Sequence, residues 1–241
     1  MDTLQDREIG QFVAEDYRTA VIFNKYGIDF CCRGNRSLAE VCNKKGIALG
    51  DILNELSIAM KTNHSASIDY KSWPLDLLAT YIEKIHHTYV EEKTPVLLQF
   101  LAKLEKVHGK AHPELIKINA LFNSVAGELA QHMKKEELIL FPFIKEMVQC
   151  QRSNKPLRRP PFGMVENPIT MMEHEHEHAG TIFKEIALLT DNYMPPGNAC
   201  TTYRVTYELL HAFEEDLHLH IHLENNILFP KSLRLEQQLR E

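Results

Sequence analysis

An all-α fold follows from three features of the sequence. Apolar residues recur at three- and four-residue spacing from Pro74 onward, Gly and Pro clusters cut that stretch into long segments, and no stretch shows the alternation or β-branched run of a strand. The segments run over roughly 74–108, 113–149, 167–190 and 200–237. Gly109 and Pro113 separate the first pair, Pro156, Pro160, Pro161 and Gly163 the second, and Pro195, Pro196 and Gly197 the third. Short connections make successive helices antiparallel neighbours, which predicts an up-down-up-down four-helix bundle.

Ahead of the bundle, three short helices are expected between Arg7 and about Met60. The first carries Ile9, Phe12, Val13, Ala20 and Phe23 and stops near Gly27. A turn bounded by Gly27 and Gly34 then holds Cys31 and Cys32. Ser37 can cap the second helix, with Glu40 three residues on, and Asp51 to Met60 completes the unit. In so small a segment the apolar side chains need each other or the next domain for burial. The polar stretch Thr62 to Ser67 reads as a linker, giving a helical Cys-Cys domain over 1–62, a linker over 63–73 and the bundle over 74–241.

Composition narrows the function classes. With 241 residues, 44% hydrophobic and 25% charged, the chain is ordinary for a globular protein, and its net charge of −6 argues against nucleic-acid or anionic-membrane partners. No apolar run approaches the ~20 residues needed to span a bilayer. The start, MDTLQDREIG, lacks a signal peptide's basic and apolar regions, so a cytoplasmic location is expected. Five cysteines without zinc-site spacing read as reduced thiols, and thirteen histidines are the one compositional excess.

Those histidines are organised by a block that occurs twice, His-x-x-x-Glu-x-x-Ile-Leu-Phe-Pro, at His132 to Pro142 and again at His220 to Pro230. On a helix each copy sets an imidazole and a carboxylate side by side. In the last segment His220 and Glu224 fall at the centre of the apolar stripe of Val205, Leu209, Phe213, Leu217, Ile227 and Leu228, while His211, His218 and His222 point the opposite way and are expected at the surface. In the second, Glu136 lies amid the stripe of Ile118, Phe122, Val125, Leu129 and Leu140 with His132 near its edge, and Glu137 falls off it. A carboxylate in the core is costly unless paired or bound to metal, and no basic residue shares the stripe. In the third, His176 joins Met172, Ala179, Phe183 and Ile186 and is preferred as the ligand over His174 and His178, with Glu175 beside it as an accessory residue. In the first, periodicity leaves His86 and His87 open as alternatives. His108 is a further accessory residue, but roughly 30 Å beyond His87 along an unbroken helix it reads as a helix-end histidine.

One imidazole from each of four helices and two inward carboxylates form a nitrogen and oxygen set that suits two iron ions bridged by Glu136 and Glu224, with open positions for a small molecule. Here the sequence resembles the di-iron iron–sulfur cluster repair family, the repair-of-iron-centres proteins, in Tyr26-Gly-Ile-Asp-Phe-Cys31-Cys32, in both blocks and in Met-Glu-His-Glu-His176-Glu-His-Ala-Gly180. In that family the first-helix ligand lies eight residues before a proline; Pro95 stands in that relation to His87, which the resemblance selects over His86. It implies the ligand set His87, His132, Glu136, His176, His220 and Glu224, and a cytoplasmic, homodimeric stress protein that restores damaged iron–sulfur proteins by supplying iron, with nitric oxide or dioxygen chemistry at the di-iron site. Cys31 and Cys32 would serve redox or iron transfer. Oxygen-carrying hemerythrins add a histidine four residues after the third-helix ligand, where this chain has Gly180. The alternative is a non-catalytic sensor or binder of the same gases. A ferritin-like oxidase would need inward Glu-x-x-His pairs, and Glu215-x-x-His218 faces away from the stripe.

Overall fold

The computed structural model describes residues 4–61 and 68–240, so residues 63–67 of the expected linker at 63–73 lie outside the described residues, while its remainder holds a short 3-10 turn, Tyr70–Ser72, with Tyr70 buried. Among the described residues every regular element is helical, apart from one isolated bridge between Glu8 and Ser37.

The first unit has four helices rather than three: α1 Ile9–Glu15, α2 Thr19–Lys25, α3 Leu38–Lys45 and α4 Leu49–Lys61. The extra break falls at Asp16, whose backbone is extended; its carboxylate holds the Arg18 guanidinium and its carbonyl accepts from the Thr19 hydroxyl at 2.7 Å. A side chain that bonds its own local backbone competes with the helix, a contest the apolar spacing does not register. Ser37 caps α3 as expected, its hydroxyl accepting from the Glu40 N–H at 3.2 Å, and α3 ends on Gly46 in the left-handed conformation.

Four rods follow. The first is α5 (Leu75–Tyr81), a π-helical turn (Ile82–His87) and α6 (Thr88–His108). The second is α7 (Glu114–Lys135), a π turn (Glu136–Leu140) and α8 (Phe141–Ser153). The third is α9 (Glu166–Leu189), and the fourth α10 (Thr201–Leu223), a π turn (Glu224–Leu228) and α11 (Phe229–Arg240). Rods packed along α6–α7, α7–α9 and α10–α6 make the predicted four-helix bundle. The π turns, a feature that recurs at functional sites, are invisible to an amphipathic pattern. Pro142 and Pro230 stand just past two of them and offer no N–H to the carbonyls of Leu138 and Asn226, four residues back, which a widened turn accommodates.

The apolar interior is split in two. One core joins the bundle half with Val90, Met133, Ala179 and Ile221 to Ile9, Phe12, Phe23 and Phe30 of the first unit; the other gathers Ile82, Leu140, Met172 and Leu223. His86, His87, Glu136 and His176 fall between residues of the two cores on their rods, and His132, His220 and Glu224 flank that boundary.

Burial of the first unit against α10 corrects one expectation. Of the three histidines expected at the surface only His211 is there; His222 is 1% exposed and His218 half-buried, because Tyr17 and Phe30 pack on the His222 ring and Phe30 on that of His218. Helical phase identifies the face turned from the bundle axis but not the domain that covers it.

Candidate metal centre

Every one of the six residues expected as ligands is at most 2% exposed. The ligand atoms of His87, Glu136, His220 and Glu224 all lie within 4.8 Å of one another, as do those of His132, Glu136, His176 and Glu224. The two groups share both carboxylates. Glu136 Oε2 is 3.3 Å from Nε2 of His87 and of His132; Glu224 places Oε1 3.2 Å from His220 Nε2 and Oε2 3.2 Å from His176 Nε2. Between the two blocks a carboxylate therefore reaches every ring.

Whether a metal fits can be judged from the polar atoms left over. Glu136 and Glu224 each have both oxygens buried without a hydrogen-bond partner, and so are His87 Nε2 and both nitrogens of His220. At about 1–3 kcal/mol for each buried unpaired group, seven such atoms would cost as much as the whole stability of a typical domain, ~5–15 kcal/mol. A cation among them removes the deficit. His132 and His176 bring their Nε2 atoms to 3.0 Å although each uses Nδ1 elsewhere, so two ring nitrogens aim at one point. Burial disfavours a charge on His132, yet Glu136 and Glu175 raise its pKa to about 10. Burial would push both glutamates up, yet the facing imidazoles hold Glu136 and, further, Glu224 below the ordinary carboxylate range.

Three of the four rings are held from behind. His87 Nδ1 is 2.9 Å from Glu137, His132 Nδ1 2.8 Å from Glu175, and His176 Nδ1 2.9 Å from Asn225. Such partners fix tautomer and orientation, leaving Nε2 for a metal. Glu175 is in turn ion-paired with Lys135; with His132 this brings its carboxyl down to about 2. Glu137 and Asn225 were not singled out by helical phase, because both lie off the apolar stripe; a usable signal existed in the repeat itself, since each immediately follows the glutamate of its block.

The remaining residues sort by position. His86 is buried outside the cluster, its Nδ1 3.0 Å from Asp216 and its ring stacked 5.7 Å from His220. His108 is not brought to the centre: it sits at the end of α6 with Nε2 3.5 Å from Cys200 and its ring against Tyr203. His174 and His178 are exposed. Cys31 and Cys32 lie with sulfurs 3.7 Å apart where the first unit meets α9: the Cys32 thiol donates to the His176 carbonyl at 3.4 Å, and the Cys31 carbonyl accepts from the Asn225 amide at 3.1 Å. Asp29 completes a third metal-capable group with them. Next to it Asn226 donates to the Phe30 carbonyl at 3.1 Å and occupies a slot between Gly10 and Gly34 that a Cβ on either would close.

Comparison with known proteins agrees with this arrangement. A model of a domain of unknown function, ScdA_N (DUF542), matches residues 5–59, and the hemerythrin HHE cation-binding domain matches residues 78–232. Among curated relatives, proteins of Yersinia pestis (strain Pestoides F) and Yersinia pseudotuberculosis serotype O:3 (strain YPIII), both called iron–sulfur cluster repair protein YtfE, are 34% identical over 232 residues, 96% of this chain and 99% of theirs. A centre of imidazoles and carboxylates in a four-helix bundle, behind a Cys-Cys unit and matched over nearly its full length, places this metal-binding chain in the hemerythrin HHE family, in the iron–sulfur cluster repair branch to which the Yersinia proteins belong.

Proposed function

We propose that the chain holds two iron ions, one among His87, His220, Glu136 and Glu224 and one among His132, His176, Glu136 and Glu224, and supplies iron for the repair of iron–sulfur clusters damaged by nitrosative or oxidative stress. The observation that carries this reading is the pair of overlapping four-residue groups sharing both carboxylates; the relatives' printed name supports the repair role. Bound iron would supply redox and Lewis-acid chemistry toward nitric oxide or dioxygen.

The chain's own residues account for the rest. Glu136 and Glu224 would hold two cations by offsetting their charge, and Glu137, Glu175 and Asn225 orient three of the imidazoles. A protein ligand set of four per metal is below six, so small oxides have a place to bind. Cys31 and Cys32 would serve thiol chemistry or iron transfer beside the centre, a reading supported by the Cys32 thiol's contact with the His176 carbonyl. A cytoplasmic homodimer is the form proposed; among the described residues no helix is long and apolar enough to cross a membrane.

The test is direct. Protein reloaded with ferrous iron under anaerobic conditions should bind two ions per chain and restore activity to a nitric-oxide-damaged iron–sulfur enzyme in a Glu136- and Glu224-dependent way. Iron binding without restoration would leave only a gas-binding protein.

A further inference from the structure

The two blocks and the helices before them repeat with a near two-fold correspondence: His132 with His220, Glu136 with Glu224, His87 with His176. Partner residues follow it as well. The residue after each block's glutamate, Glu137 in one and Asn225 in the other, holds the ring on the preceding rod, His87 or His176. The correspondence fails at one pair. The residue before His176 is Glu175, which reaches the His132 ring and is anchored by Lys135. Its counterpart before His87 is His86, and the counterpart of Lys135 is Leu223. His86 turns its Nδ1 to Asp216 and lies flat on His220, with ring planes 11° apart, so His220 Nδ1 is buried with no partner.

We propose that the two metal positions are unequal by construction, and that the ion between His87 and His220 leaves first because His86 stands where a carboxylate would otherwise fix the His220 ring. The inference rests on the two-iron reading above and says which iron is given up. A partner behind a metal-binding histidine is worth about 10–100-fold in metal affinity, and here one position has both rings so held and the other has one.

The experiment is release of ferrous iron from the fully loaded chain to a strong ferrous chelator, with His86→Gln and Glu175→Ala compared. Glutamine at 86 can accept from His220 Nδ1 with its carbonyl and donate to Asp216 with its amide. The native protein should lose its two ions in two phases of equal amplitude whose rates differ by about 10–100-fold. His86→Gln should slow the fast phase toward the slow one, and Glu175→Ala should speed the slow phase toward the fast one. A second readout concerns the ring alone: with cobalt(II) in both positions, three ring N–H protons should persist in water in the native protein and a fourth should appear in His86→Gln. Two ions leaving in one phase, or a fast phase untouched by His86→Gln with no fourth signal, overturns the inference alone. A chain that takes up only one ion under excess iron overturns the two-iron reading and this inference with it.

Discussion

Replacing both bridging glutamates by leucine, Glu136→Leu with Glu224→Leu, should separate folding from metal binding. Both side chains are 0% exposed, and their four oxygens lack hydrogen-bond partners. The metal-free native protein therefore carries a cost of roughly 1–3 kcal/mol for each oxygen, partly offset by the imidazoles. Apolar replacements of similar volume remove that cost, and exchanging buried ionic groups for packed apolar ones is often neutral or stabilising by about 1–4 kcal/mol. The metal-free double variant should be no less stable than the metal-free native chain. Iron reverses the order. At a free concentration a thousand times Kd, one site adds about 4 kcal/mol, and at roughly 2–4 °C per kcal/mol for a chain this size the native Tm should rise by roughly 8–16 °C for each ion held. Thermal unfolding followed by far-UV circular dichroism, with and without anaerobic ferrous iron, measures both quantities. An iron-dependent rise that persists in the double variant, or a native Tm indifferent to iron, would refute the assignment of these carboxylates.

Three further outcomes follow from the packing. Gly34→Ala puts a Cβ 2.4 Å from the Phe30 carbonyl and 2.7 Å from Asn226 Oδ1, so it should loosen the first unit from the bundle; hydrogen exchange over residues 28–35 should accelerate at least tenfold while α7 and α9 stay protected, and unchanged exchange would show that the slot is not what seats the unit. Gly180→His should not recreate the extra ligand of oxygen-carrying hemerythrins, because even its Cβ would be 3.3 Å from Cys32 Sγ; metal content should stay at the native value and stability fall by about 1–3 kcal/mol from overpacking, measured by urea unfolding. Glu214, whose side chain is 12% exposed, is raised by burial to about 7. A carboxyl whose folded pKa lies above its unfolded one contributes stability that is complete below about pH 4.5 and is lost as pH rises through 7. Glu214→Gln should therefore leave stability near pH 4.5 unchanged and raise it at pH 8 by about 3 kcal/mol, at about 1.4 kcal/mol per pKa unit; an equal effect at both pH values would contradict the shift.

Sequence by itself determined the four rods, their breaks and most of the centre. Periodicity and a repeated block are local properties of a helix, so His132, Glu136, His176, His220 and Glu224 could be placed on inward faces before any contact was known. Between His86 and His87 it could not choose: adjacent residues on a helix differ by 100° and two apolar stripes run along that rod, so the resemblance to a family made the choice, and the fold sets His87 within the cluster and His86 behind it. Tertiary structure alone decided what stands behind each ring and what covers the bundle. Glu137, Asn225 and Asp216 touch histidines of other rods, and His222 is buried by Phe30, nearly two hundred residues earlier in the chain. Helical phase reports which way a side chain leaves its own axis. The group it meets depends on a neighbouring axis, on the added turn of a π helix and on the docking of a second unit, none of which is encoded within the reach of a single helical turn.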